Sequence, residues 1–296
     1  MNEIGIVIPF YKLNFFEETL KSLQNQTNQR FKVYIGDDAS PDNPLPIIEK
    51  YQNHFNIIYK RFDNNLGRKS LTQQWERCIN LTVDEQWLMI LGDDDFLSNN
   101  VIESFYEVIN EVEKEKINVI RFATQKVNEK GIAISHVVQH PEKEKSVNFL
   151  FNNTRSSLSE YVFKRTEFKL GFKDFPLAWY SDILAVFEFS NYGNIFTINK
   201  AILYIRISIL SISGNFSNEK LKRKAKFQFY YYLIDKRLEM FSDSQAKELY
   251  CRINKCFVNN KKYFIYFLQI SKLYIYKKLF KQYFIFVKQI FVSVIR

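Results

Sequence analysis

Residues 86–95 read Gln86-Trp87-Leu88-Met89-Ile90-Leu91-Gly92-Asp93-Asp94-Asp95. A short apolar run that stops dead at three carboxylates suits a buried strand whose last residue reaches the edge of a sheet. Working outward, the same grammar recurs. Residues 4–10 (IGIVIPF), 31–36 (FKVYIG) and 56–62 (NIIYKRF) read as strands. Between them lie helical faces: Phe16, Leu20 and Leu23; then Ile47, Ile48 and Tyr51 behind Pro44 and Pro46; then Leu71, Trp75, Cys78 and Ile79. Asn14 and Glu17 have the spacing of a capping box for the first of these helices. Val101, Phe105, Ile109 and Val112 give a fourth helix, followed by a strand at 117–123. Strand and helix alternating in this way predict an α/β fold with a doubly wound, mostly parallel sheet covered on both faces. Ligands of such sheets bind outside the carboxyl ends of the strands, where Asp37-Asp38 and Asp93-Asp94-Asp95 both fall.

Beyond residue 124 the pattern loosens. Residues 128–131 read as a turn, 132–139 as a strand, 140–157 as a polar loop and 158–164 as a strand. The Gly- and aromatic-rich stretch 169–182 leads into a helix, and strands at 194–198 and 201–207 precede Ser211-Ile212-Ser213-Gly214. From Ser217 the pattern is helical to the end.

Charge divides the chain at the same place. Residues 217–296 hold 18 Lys and Arg against 5 Asp and Glu, a net +13, whereas residues 1–216 carry a net −3. No acid follows Glu248. Two domains are expected, a mildly acidic body over 1–216 and a helical, basic and aromatic extension over 217–296. In residues 261–296, Lys261, Lys262, Lys272, Lys277, Lys278, Lys281 and Lys288 alternate with Phe, Tyr, Ile and Leu, as in helices that lie on an anionic membrane surface. The same tail could pack on the body, or on a second copy of the chain to give a homodimer. Nucleic acid is the poorest partner, because the acidic body repels phosphate. Three cysteines without metal spacing, no leader-like N-terminus and no long uncharged apolar run point to a cytoplasmic protein, peripheral at the inner face of the plasma membrane. His54, His136 and His140 form no metal set, and His136 and His140 read as solvated surface.

Three adjacent carboxylates repel one another unless a cation neutralises them, so Gly92-Asp93-Asp94-Asp95 reads as a site for Mn²⁺ or Mg²⁺ completed by a diphosphate. Asp37-Asp38-Ala39-Ser40-Pro41-Asp42 reads either as a capped turn or as a nucleotide contact, with Tyr11 placed to stack on a base.

Taken together, Pro9-Phe10-Tyr11, Asp37-Asp38-Ala39-Ser40-Pro41-Asp42, Asn65-Leu66-Gly67 and Gly92-Asp93-Asp94-Asp95 resemble the family 2 glycosyltransferases of the GT-A fold, over about residues 4–215. The resemblance implies an inverting transferase that uses a nucleotide-diphosphate sugar, UDP above all, and a divalent cation. It places Pro9 and Tyr11 at the base, Asp38 on the pyrimidine ring, Arg68 near the nucleotide, Asp93 on the ribose and Asp94 on the metal. Asp182, at the start of a helix after a Gly/aromatic loop, takes the place of the catalytic base, with Asp174 as the alternative. Trp179 and Tyr180 are candidates to stack on a sugar. One departure stands out: the family's acidic motif usually reads Asp-x-Asp-Asp, and Gly92 replaces the first Asp. The acceptor implied is a saccharide or a lipid-linked sugar in cell-surface polysaccharide synthesis, of the capsule or lipopolysaccharide type. Two readings stay open beside it. A sugar-phosphate nucleotidyltransferase would want a Gly-rich phosphate loop where Ile8-Pro9-Phe10-Tyr11-Lys12 stands, and an inactive, transferase-like binding subunit would need the acidic sites to be idle.

Overall fold

The computed structural model describes residues 4–152, 157–209, 211 and 216–295. They form two compact units, one of residues 1–174 with 181–216 and the other of residues 175–180 with 217–296.

The first unit is built on one sheet. β1 (Ile4–Phe10), β2 (Phe31–Asp37), β3 (Asn56–Arg61) and β4 (Trp87–Ile90) pair in parallel in the order β3-β2-β1-β4. β1 and β4 are continuous apolar runs because both of their faces are buried, whereas β3, at the edge, has no buried residue. Ile4, Ile6, Ile8 and Phe10 meet α1 (Phe16–Gln24), α2 (Leu45–Tyr51) and α4 (Val101–Lys114) on one side. On the other side α3 (Leu71–Ile79) packs against β1 and β2. Gly36 allows that approach, since a Cβ there would sit 2.2 Å from Cys78 Sγ. Cys78 is fully buried core, and burial raises its thiol to about 12, far from a reactive thiolate.

The sheet continues through β8 (Tyr161–Lys164), β6 (Val119–Val127), β9 (Asn194–Arg206) and β5 (Phe96–Leu97), while β7 (Lys143–Lys145) also pairs with β9. β8 runs antiparallel between β4 and β6, and β9 lies parallel to β6. The architecture is therefore α/β with a mostly parallel sheet.

Several local expectations give way here. Residues 132–139 are not a strand and make only isolated bridges at Ala133 and Val138. β7 falls inside the expected polar loop 140–157, because Glu144 is drawn in by buried Arg121. The two strands expected at 194–207 are one, with the register slipping at Phe122/Ala123 of its partner. α1 has no capping box: its N-cap is Phe15, and Glu17 pairs with Lys50 instead. His140 is not solvated surface but buried, its backbone tied to Asn199, and burial next to Arg121 lowers it to about 4. Most of residues 211–214 lie outside the described residues.

The second unit is helical: α6 (Glu219–Lys236), α7 (Asp243–Val258), α8 (Phe264–Tyr276) and α9 (Phe280–Ile295). α7 opens on a capping box made by Ser242 and Gln245. Residues 175–180 belong to this unit, with the Tyr180 ring stacked on Phe229 at 4.6 Å between centroids. Among the described residues no helix is long and apolar enough to cross a membrane.

Candidate active site

Because β1, β2 and β4 run in the same direction, the residues that follow them emerge at one edge of the sheet. Phe10 pairs with Asp37, and Val7 with Ile90. Asp38 N–H donates to the Phe10 carbonyl (3.0 Å) and Leu91 N–H to the Val7 carbonyl (2.9 Å). Tyr11, Asp38 and the 92–95 turn are thus brought together, as the motif order requires.

The loop after β2 is a set of interlocked turns. Asp37 is fully buried and accepts from Ser40 N–H (2.8 Å), Tyr59 Oη (2.7 Å) and Arg61 Nη1 (2.7 Å). Ser40 Oγ donates to the Tyr11 carbonyl (2.7 Å), which joins this loop to the one after β1. Asp38 faces the other way. Its oxygens accept from Leu66 N–H (2.7 Å), Gly67 N–H (2.9 Å) and the Arg77 guanidinium. That seat explains the Asn-x-Gly turn, since a Cβ on residue 67 would lie 2.6 Å from Asp38 Oδ2. Burial pushes the Asp38 carboxyl up, against the opposing pull of these N–H groups and Arg77. With three donors already on it, Asp38 keeps about one of its roughly four acceptor directions for a base. Pro9 is partly exposed within β1, and Tyr11 is open to solvent. Arg68 is exposed at the rim, its N–H on Asn65 Oδ1 (2.7 Å).

In the acidic turn the three carboxylates are treated differently. Asp93 Oδ2 accepts from Tyr11 and Lys12 N–H, both at 2.8 Å, and so fixes the loop after β1. Asp95 is buried and accepts from Ser159 Oγ (2.6 Å) and Arg206 N–H (2.9 Å). The Asp94 carboxylate accepts only from its own N–H among the described residues. Burial first, then the charge of Asp95, holds its carboxyl well above the usual carboxylate range, with Lys12 and Arg206 pulling the other way. Gly92 fits this arrangement. A Cβ there would come within 3.1 Å of Asp94 Oδ1 and 3.2 Å of Asp95 Oδ2, so a further carboxylate would crowd two others.

These features test the fit of a divalent cation. Among the described residues no three His, Cys, Asp or Glu side chains group to hold one. A single uncommitted, half-buried carboxylate suits an ion that keeps water and substrate phosphate as its other ligands, which is how Mg²⁺ usually binds. Asp94 fits that demand, and a protein-only cage is absent among the described residues.

Asp182 is the second residue of α5 (Ser181–Phe189) and half-buried, inside the first turn and past the capping position. Asp174, the alternative, is exposed and accepts from Thr72 Oγ1 (3.0 Å). Tyr180 is committed to Phe229, and Lys222 lies 4.9 Å from the Trp179 ring centre; both contacts fall within the helical unit.

Two buried charged residues complete the picture and escaped the sequence reading. Arg206 is 2% exposed and donates to the carbonyls of Asp94 (2.9 Å), Asn128 (3.0 Å) and Glu129 (2.9 Å), and to Glu18. Its signal was a lone cation ending an apolar strand, Ile202-Leu203-Tyr204-Ile205-Arg206. Arg206→Met should leave those carbonyls unsatisfied and lower stability by about 3 kcal/mol. Thermal melting checks this: an unchanged midpoint would show that the buried guanidinium contributes no net stability. Glu160 is 1% exposed, with Oε2 on Ser157 N–H (3.0 Å) and Oε1 without a partner among the described residues. Burial raises it to about 8; Arg121 opposes this, and the negative charge of Asp182 adds to it. Its signal was the Ser157…Glu160 capping spacing ahead of an apolar strand.

With this geometry in hand, the comparison with known proteins is direct. The glycosyl transferase family 2 model matches residues 5–173, more than half of the chain. The chain belongs to glycosyl transferase family 2. Poly(ribitol-phosphate) beta-N-acetylglucosaminyltransferase TarS of Staphylococcus aureus is 25% identical over 136 residues, 45% of this chain and 22% of TarS. Glycosyltransferase GlyG of Streptococcus pneumoniae is 24% identical over 115 residues, 38% of this chain and 37% of GlyG. The match thus spans well under half the length of either relative. Crystal structures of S. aureus TarS 1-349, one in complex with UDP-GlcNAc and one in complex with UDP, superpose with TM-scores of 0.64 and 0.60. Each is 14% identical; they cover 92% and 88% of this chain, and 79% and 74% of those chains. The fold is of the GT-A type that the motifs implied.

Proposed function

We propose that this chain is an inverting glycosyltransferase that moves a sugar from a nucleotide-diphosphate donor, UDP in the first instance, to a saccharide or lipid-linked acceptor in cell-surface polysaccharide synthesis. The observation that carries the reading is the division of labour in the 92–95 turn: Asp93 holds the loop after β1, Asp95 is taken by Ser159 and Arg206, and the Asp94 carboxylate is left uncommitted. The similarity to TarS structures in complex with UDP-GlcNAc and UDP supports the donor class.

In this reading Tyr11 and Pro9 receive the base, Asp38 its ring N–H, and Arg68 approaches the nucleotide from the rim. Asp93 takes the ribose with its second oxygen. Asp94 would hold Mn²⁺ or Mg²⁺, and the ion when bound would supply charge neutralisation to the leaving diphosphate. Asp182 accepts the proton of the acceptor hydroxyl as that oxygen bonds the anomeric carbon and the bond from that carbon to the diphosphate oxygen breaks. Displacement from the opposite face inverts the centre. A lipid-linked acceptor would place the reaction at the inner face of the plasma membrane.

Purified protein with UDP-sugars and Mn²⁺ should release UDP slowly without any acceptor, and chelation should stop it. Absence of release from every UDP-sugar, or pyrophosphate formation from a sugar phosphate and a nucleoside triphosphate, would sink the assignment. A melting-temperature screen of nucleotide sugars then identifies the donor by its stabilisation.

A further inference from the structure

The outward sides of α8 and α9 carry the same pattern twice. Residues 264, 265, 268, 269, 272, 275 and 276 are the exposed positions of α8, and the same set sixteen residues later, from 280 to 292, is exposed on α9. On α8 these include Phe264, Ile265, Leu268, Ile275 and Tyr276. On α9 they include Phe280, Phe284, Ile285, Phe291 and Val292, with Phe284 72% exposed. Lys272 and Lys288 occupy the same place in the repeat. The inward sides are apolar as well, with Ile270, Leu273, Tyr274 and Phe286 buried in the helical unit. A surface helix normally turns a polar face to water, and contiguous exposed apolar area marks an interaction site.

We propose that these two outward faces form a docking surface for an anionic lipid bilayer, with both helices lying in the headgroup plane. Charge selects the occupant. Lys272, Lys278, Lys281 and Lys288 are exposed, no acid follows Glu248, and none of the four has a carboxylate partner among the described residues. A second copy meeting this face about a two-fold axis would set lysines against lysines, which disfavours self-association. Anionic headgroups satisfy the lysines, while the acyl boundary accepts the Phe, Tyr and Ile side chains. The 16 residues of α9 are about 24 Å long, short of the roughly 30 Å hydrocarbon core, so the helix lies on the surface rather than crossing it. This goes beyond the transfer reaction and does not depend on it.

The test is co-sedimentation of the full chain, without donor or acceptor, with phosphatidylglycerol/phosphatidylcholine vesicles and with phosphatidylcholine alone. Binding is expected only with the anionic vesicles, falling as salt rises. The triple change Lys272→Gln/Lys281→Gln/Lys288→Gln should weaken it roughly 100-fold. Phe284→Ser/Phe291→Ser should weaken binding to the anionic vesicles at every salt concentration. All five positions are exposed, so melting temperatures should hold; if a variant melts early, the lipid-composition and salt series on the unaltered chain decides alone. Equal binding to neutral vesicles at all salt concentrations overturns the proposal. So does a dimer in solution, without vesicle binding, that Phe284→Ser/Phe291→Ser dissociates.

Discussion

Asp182→Asn should keep the affinity for UDP and Mn²⁺ and lose about 10²- to 10⁴-fold in turnover, the usual scale for removing a general base. The substitution is nearly isosteric and keeps a hydrogen-bonding side chain in the first turn of α5, so any structural role there survives. What it removes is the capacity to take a proton. The split is the informative part, because a base acts on the acceptor and leaves donor binding alone. Steady-state kinetics with saturating donor, together with UDP calorimetry, read both quantities. Turnover within a few-fold of the unaltered enzyme would move the role to Asp174 or to another carboxylate. Glu160 is the next place to look, since it is buried, feels the charge of Asp182 and has an oxygen without a partner among the described residues.

The first half of the fold could be read from the chain because buried parallel strands announce themselves. Ile4–Phe10 and Trp87–Ile90 are apolar on both faces, Phe31–Asp37 alternates with Phe31, Val33 and Ile35 in the core, and each helix between them carries one apolar stripe. After residue 124 the information moves into long-range pairings. Lys143–Lys145 looks like loop on composition, and becomes a strand because it pairs with β9 while Glu144 meets buried Arg121. Residues 194–206 are one strand whose pairing with β6 shifts register between Ile198 and Ile202, which no local pattern records.

The candidate site divides in the same way. Which carboxylates stand at the strand ends was legible, since that follows from strand order. How they differ was not. Asp95 is claimed by Ser159 and Arg206, 64 and 111 positions away, and Asp38 by Arg77, 39 positions away. His140 differs from its surface-like sequence for a related reason: Asn199, 59 positions away, ties down its backbone, and burial first, then the charge of Arg121, lowers it. Local sequence names the acids, while distant residues decide which of them is free to act.

Asp94→Ala should abolish cation-dependent UDP binding and lower turnover about 10²- to 10³-fold, comparable to deleting one preorganised group that stabilises transition-state charge. The argument starts from the contrast with its neighbours. Removing Asp93 would release the loop after β1, and removing Asp95 would unpair Ser159 and the Arg206 N–H, so either change confounds structure with function. The Asp94 carboxylate receives no hydrogen bond from another described residue, Arg206 Nε meeting its backbone carbonyl instead, and its charge is disfavoured by desolvation and by Asp95. Relieving that repulsion should leave the melting temperature of the metal-free protein at or above that of the unaltered chain, while the stabilisation normally gained from UDP with Mn²⁺ disappears. Calorimetry of UDP binding with Mn²⁺ and with chelator measures the coupling between the two ligands. If the Mn²⁺-dependent gain persists in Asp94→Ala, the cation is held elsewhere. If UDP affinity falls equally with and without Mn²⁺, Asp94 serves the nucleotide rather than a metal.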